Sequence, residues 1–107
     1  MGDSLEPWVI VLNGEYDIYT RETFAALINP AINWPHVVLD FSAVSYLDST
    51  CLGEMIQLRK RRAELGFPPK HLAGMNHLLR RVFEITTLDR IWPMFPTKQE
   101  AAAAFEA

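Results

Sequence analysis

Three polar residues stand in a row where an apolar run gives way to a helical pattern: Asp48, Ser49 and Thr50, within VVLDFSAVSYLDSTCLGEMI. A hydroxyl beside a carboxylate at a helix start suits three kinds of chemistry. It can cap the helix, as Ser, Thr and Asp do everywhere. It can carry a phosphate, because the first turn exposes unpaired N–H groups and the positive end of the dipole. It can also be a nucleophile, provided a base lies within hydrogen-bond reach. The residue types alone leave capping and phosphate acceptance both open. Hydrolase chemistry has little to rest on. His36 precedes the strand and lies at its other end, His71 and His77 are elsewhere, and LDSTC is not a G-x-S-x-G elbow.

Other chemistries find no residues to carry them. The single cysteine, Cys51, and three histidines show no C-x-x-C or H-x-x-x-H spacing, so no metal site is expected. His71 and His77 are six apart and would face different sides of a helix. The run RKRRA (59–63) and the pair Arg80-Arg81 are basic, yet the net charge is -3, which argues against nucleic acid and makes the run a solvated helix face. Met55, Met75 and the three tryptophans are expected in the core. A receiver domain would need an acidic pair after its first strand and a lysine ending a late one. WVIVLNGEYD offers only Glu15 and Asp17, and no lysine ends IWPMF.

The elements that must position Ser49 are legible as hydrophobic periodicities. Trp8–Leu12 and Val37–Phe41 are continuous apolar runs of the kind found in buried strands. A polar turn is expected after Phe41. Between the two runs Thr20 can cap a helix carrying Phe24, Leu27, Ile28 and Ala31, with Pro30 ending it near Asn29. Strand, helix, strand implies a parallel pair with a right-handed crossover. A second helix is expected over 49–65, with Cys51, Met55, Leu58 and Leu65 on one stripe and Gly66 as its stop. Its apolar face is wide enough to pack on a sheet and leave a part for a partner. Pro68 and Pro69 allow only Lys70–Met75 as a poor third strand. Asn76 caps a third helix with Leu78, Leu79, Val82 and Phe83. Ile91–Phe95, interrupted by Pro93, reads as an edge strand, and Thr97-Lys98-Gln99-Glu100 as a capping box for a terminal alanine-rich helix.

The chain has 107 residues, half of them hydrophobic, which suits one domain over 1–107 with a single core. One cysteine excludes an internal disulfide and fits a reducing compartment. No apolar run approaches the roughly 20 residues that span a bilayer, and MGDSLEPW lacks the pattern of a signal peptide. A cytoplasmic domain with no membrane contact is the expectation.

In order and spacing these residues resemble the STAS domain, the fold of the bacterial anti-sigma factor antagonists. The likeness runs over almost the whole chain. Gly14-Glu15-Tyr16-Asp17 matches the family's glycine and aspartate after a strand. Asp40 followed by Asp48-Ser49-Thr50-Cys51-Leu52-Gly53 matches its central motif, a strand aspartate and then Asp-Ser-Ser/Thr-Gly-Leu-Gly. RRVFEITTLDRIWPMFP matches its late helix, threonine-glycine-leucine turn and short strand. The resemblance implies an α/β fold, a mixed sheet of about four strands covered by helices mainly on one face. It implies a protein without enzyme activity or cofactor. By the same resemblance Ser49 would be the phosphoacceptor of a serine kinase that is also the anti-sigma factor, and a serine phosphatase, metal-dependent, would restore it. The unphosphorylated form would bind the kinase and free the sigma factor for transcription. Asp17, Asp40 and Asp48 would line one face, with Thr50, Cys51, Gly53 and Met55 at the start of the docking helix.

Two positions depart from the family pattern. Cys51 stands where a glycine is usual, placing a side chain where a partner would approach closely, and Thr87 replaces the glycine of the later turn. Only SLEP (4–7) precedes the first run, so the sheet is expected to be trimmed at that edge. The rival implied by the same resemblance is a STAS module that never switches, a scaffold or a subunit of a transport system.

Overall fold

The computed structural model describes residues 6–106. Four strands are joined by helices: β1 (Trp8–Tyr16), α1 (Arg21–Ile28), β2 (Val37–Leu47), α2 (Ser49–Glu64), β3 (His71–Ala73), α3 (His77–Ile85), β4 (Met94–Phe95) and α4 (Lys98–Ala103). The sheet order is β1-β2-β3-β4. Four strands and helices mainly on one face agree with the sequence reading. The mixed character does not: each described pairing is parallel. The reason is that every pair of consecutive strands is separated by a helix, and a helical crossover returns the chain in the same direction. Ser4 and Leu5 of the SLEP segment lie outside the described residues, and β1 is the edge among those described.

The β2 strand is twice as long as the apolar run that signals it. In place of the expected polar turn after Phe41, pairing with β1 continues to Tyr16↔Leu47. Two register shifts interrupt this ladder, between Val11 and Asn13 and between Gly14 and Glu15. At each, β2 spends one residue more than β1, which is the signature of a bulge. Burial along β2 accordingly changes period. Val37–Phe41 are all buried, whereas beyond them only Val44 and Leu47 are, three residues apart. The intervening Ser42, Ala43, Ser45 and Tyr46 are exposed. This strand hides its periodicity because each bulge adds an outward residue to the ordinary alternation.

Bulge geometry is tied down by Asp40. Its Oδ1 accepts from the Ser42 N–H at 3.0 Å, inside a nearly closed environment. Gly74 crosses directly over this pair with φ +72°, and a β-carbon placed there would stand 2.9 Å from the Ser42 Cβ and 3.1 Å from the Asp40 Oδ1. Glycine is therefore required twice, for its backbone angle and for the space.

The main core lies between the sheet and α1, α2 and α3. Ile10, Leu12, Leu39, Phe41 and Leu72 from the strands meet Phe24, Ile28, Met55, Leu58, Leu79 and Phe83. On the sheet's other face a smaller cluster forms from Val38, Ala73 and Ala101, closed by Phe95 and Phe105. His71 stacks on Phe105 with ring centroids 3.6 Å apart, and its Nδ1 sits 2.8 Å from the Ala101 carbonyl. The capping box expected at Thr97 forms in part: the Glu100 N–H donates to the Thr97 hydroxyl at 3.1 Å. Thr20, in contrast, makes no side-chain cap on α1. Its hydroxyl is instead held by Asp17, accepting from the Asp17 N–H at 2.8 Å. Thr87 adopts φ +60°, the left-handed conformation that a glycine takes without strain.

Helix α2 corrects the reading of its basic run. Arg62 is not on a solvated face: it is 2% exposed. Its two Nη atoms donate to the carbonyls of Ala31, Ile32, Trp34, Pro35 and Pro68, at 2.7 to 3.2 Å. One guanidinium thus ties the turn before β2 and the loop before β3 to the end of α2. Beside it Lys70 is buried as well, and burial followed by the like charge of Arg62 pushes its pKa down to about 7.

Two outcomes follow for stability. Gly74→Ala should destabilise the fold by about 3 kcal/mol, read from urea denaturation, since overpacking and a left-handed alanine add. Lys70 gives a pH dependence of definite sign. Between pH 7 and 10.5 the unfolded chain holds a proton that the folded Lys70 has released. Stability should therefore rise with pH in that window, by up to about 1.4 kcal/mol per unit from this group. Lys70→Met should remove that part of the slope, measured as urea midpoints between pH 7 and 10.

Candidate functional site

The site is built where β1 and β2 end together. Tyr16 pairs with Leu47, and the Asp48 N–H then donates to the Tyr16 carbonyl at 3.0 Å. With that bond made, the chain turns and α2 begins. Asp48 is the N-cap: its Oδ1 accepts from the Thr50 and Cys51 N–H groups at 3.0 and 3.1 Å. Ser49 is the first helical residue and is exposed. The capping task belongs to Asp48, so the Ser49 hydroxyl is not needed to satisfy the helix end.

A tight turn from Asp17 to Thr20 stands against this helix start. The Asp17 Oδ1 accepts from the Tyr19 and Thr20 N–H groups at 2.9 and 3.1 Å, and from the Thr20 hydroxyl at 3.2 Å. The Cys51 thiol lies 3.8 Å from the Asp17 carbonyl and bridges turn to helix. Further along, the Arg21 guanidinium reaches Glu54 at 3.5 Å. The turn holds Ile18 and Tyr19 out into solvent, 63% and 92% exposed.

The structure divides the residues singled out in the sequence. Asp17, Asp48, Ser49, Thr50 and Gly53 gather around the start of α2 with at least partial exposure. Asp40 does not join them. It is buried seven residues before Leu47, held in the first bulge of β2. Met55 is buried in the main core. The expectation that Cys51 confronts a partner is corrected too, since its side chain is fully buried against the Asp17 turn. Burial, followed by Asp48 and Asp17, pushes its pKa up to about 12. Ile18 and Tyr19 were not among the sequence candidates. Their signal was available: two large apolar residues in a turn, where polar ones are usual.

Gly53 is informative for a different reason. Its φ is unremarkable, and a β-carbon there would meet nothing within 4 Å. Glycine inside a helix costs about 1 kcal/mol relative to alanine. Nothing among the described residues explains that cost.

Comparison with known proteins agrees with this geometry. The STAS domain profile matches residues 4–101. The chain belongs to the STAS domain family. Among solved structures, a candidate anti-sigma factor antagonist of Thermotoga maritima is 26% identical, with a TM-score of 0.79 over 92% of this chain and 88% of that one. The cell fate determinant SpoIIAA of Bacillus, solved in its phosphorylated form, is 25% identical, with a TM-score of 0.69 over 94% of this chain and 91% of its own. The STAS domain of a SulP transporter from Vibrio cholerae shares the fold at 17% identity, with a TM-score of 0.70 over 94% of this chain and 81% of that one.

The thiol offers a direct check on the site. With its pKa near 12 and no exposed surface, Cys51 should react with iodoacetamide at pH 8 only when the protein is unfolded. Mass spectrometry of native and urea-treated samples measures this. Rapid labelling of the native protein would place the thiol in solvent and overturn the packing described.

Proposed function

We propose that this chain is an anti-sigma factor antagonist switched by phosphorylation of Ser49. Unphosphorylated, it binds an anti-sigma factor that is also a serine kinase. Phosphorylated, it lets that partner go, and a serine phosphatase reverses the change. The observation that carries this reading is the division of labour at the helix start. Asp48 caps the helix, which leaves the Ser49 hydroxyl exposed and without a structural task. Kinship with SpoIIAA, which is solved as a phosphoprotein, supports the same assignment.

The physical effect is local. A phosphate at Ser49 adds about -1.5 to -2 charges at neutral pH. Within the chain the N-terminus of α2 tolerates it through the positive end of the helix dipole. A partner desolvated against it does not, because Asp17, Asp48 and Glu54 already make this end negative. Like charges in an interface cost several kcal/mol, and each 1.4 kcal/mol is tenfold in affinity. A loss of two or more decades in binding needs no change of fold. Ile18, Tyr19, Thr50 and Gly53 supply the surrounding contact surface, and Gly53 keeps the helix low where the partner lies against it. Nucleotide and metal belong to the kinase and the phosphatase. The chain itself performs no catalysis and acts in the cytoplasm. Among the described residues no helix is long and apolar enough to cross a membrane.

A second reading, a STAS module that never switches, draws on the shared fold of the SulP domain. The two are separated by one measurement, the intact mass of protein from its own host with and without phosphatase treatment. The switch requires a species heavier by one phosphate, mapping to Ser49. Its absence under all growth conditions favours the static module. With the cognate kinase, Ser49→Ala should bind about as well as the wild type and take up no phosphate, Ser49→Asp should bind more weakly, and Thr50→Ala should still be phosphorylated. Gly53→Ala should gain up to about 1 kcal/mol of stability and lose partner affinity. If Ser49→Ala melts far lower than the wild type and the wild type takes up no phosphate, Ser49 is a structural residue and the switch is wrong.

A further inference from the structure

At the other end of α2 lies a site that the switch does not use. A cavity of about 100 Å³ opens between the last turns of the helix and the segment entering β3. Leu39, Met55, Phe67 and Trp92 give it apolar walls. Three cations line it, Arg59, Arg62 and Lys70, and no carboxylate does. This is a basic pocket in a chain whose net charge is -3.

Among the described residues no carboxylate pairs with these cations. Arg62 and Lys70 are 2% and 4% exposed. The one ion pair among the described residues joins Arg21 to Glu54 and involves none of these three cations. Arg62 donates its Nη hydrogens to carbonyls, which satisfies donors without neutralising charge. Its Nε, and that of Arg59, are buried without a hydrogen-bond partner. A buried charge lacking a counter-ion is costly. Arg62 and Lys70 lie side by side at a cavity that Arg59 also lines, so an anion entering it meets all three.

We infer that this cavity binds a small monocarboxylate with a short apolar body. The donors decide the head group. Arg62 has already committed five bonds through its Nη groups, so what remains is its Nε–H, the Arg59 guanidinium and Lys70, enough for two carboxylate oxygens. A phosphate or sulfate, more strongly hydrated and with more oxygens to satisfy, is poorly matched to a small cavity with apolar walls. The walls decide the rest of the ligand, since leucine, methionine, phenylalanine and tryptophan favour hydrocarbon. A cavity of about 150 Å³ takes benzene, so about 100 Å³ encloses roughly four non-hydrogen atoms, the carboxylate and first carbons of a chain such as hexanoate, whose remainder reaches the open mouth. Arg59 and Arg62 follow Ser49 by ten and thirteen residues along α2, roughly 15 and 20 Å at 1.5 Å per residue, so the cations of this site stand apart from the phosphoacceptor.

The test uses the full chain with hexanoate as probe, and hexanamide and inorganic phosphate as controls, by calorimetric titration and thermal melting at pH 7. Hexanoate should bind saturably and raise the melting temperature with concentration. Hexanamide, equal in shape and uncharged, should do neither, and phosphate should neither bind there nor displace hexanoate. Lys70→Met and Arg59→Gln should each weaken hexanoate at least tenfold. Ala63→Phe, on an exposed helix position at the cavity wall, should block it without touching a cation and keeps the test valid if Lys70→Met does not fold. Equal binding of hexanamide, displacement by phosphate, no saturable binding of hexanoate, or unchanged affinity in Arg59→Gln and Ala63→Phe would each overturn the proposal.

Discussion

The molecule turns on Asp48. Its backbone N–H makes the bond that follows the last β1–β2 pair, and its carboxylate makes the first two bonds of α2. One residue is therefore both the end of the sheet's longest ladder and the start of its longest helix. A helix N-terminus leaves several N–H groups without partners, and a residue that satisfies two of them fixes where the helix begins. From that fixed point the phase of α2 follows. Cys51, Met55, Leu58 and Arg62 are turned inward, and Ser49, Gly53 and Gln57 keep some exposure. The functional face is the complement of the buried one.

The far end of α2 solves the converse problem. The segments before β2 and β3 bring carbonyls together at the end of α2. Arg62 gathers five of them around a single planar group with fixed donor directions. Lysine, with three donors on a flexible stem, could not span the same set. The arrangement holds the bottom of the molecule together by hydrogen bonds while leaving its charge unanswered. One helix thus presents an exposed hydroxyl at its positive end and buried cations at its negative end, each where the dipole favours it.

Much of this was written in the chain, with uneven clarity. The apolar run at 37–41 announced a buried strand because both faces of the sheet are covered there, whereas the run at 8–12 belongs to the edge strand and leaves Trp8 and Val11 exposed. The second half of β2 was illegible as a strand because its bulges convert a two-residue alternation into a spacing of three. The helices were found where periodicity and caps coincide, as at Asn76, whose side chain accepts from the Leu79 N–H. At the site, Ser49 and Asp48 were legible as a motif, but motif order suggested a proximity for Asp40 that strand length denies. Arg62 was misread for a simpler reason. It belongs to a run of four cations, and charge alone suggested solvent. Its spacing told otherwise, for it falls four residues after Leu58 and seven after Met55, on the stripe that faces the core. Phase outranks polarity when the donors have carbonyls to meet.

The smaller core, on the face away from α1, α2 and α3, bears on how the chain is made. Its cover comes from α4 and the turn after it, the last described element in the chain. A ribosome releases residues in order, so Val38 and Ala73 emerge long before Ala101 and Phe105 can close over them. During that interval a parallel sheet with one apolar face open exists in a crowded compartment, and its strands pair only with partners distant in sequence, which is slow. The short alanine-rich helix therefore closes the sheet only after the strands it covers have been made. Until it docks, the nascent domain is a client for whatever protects exposed apolar surface in the cell.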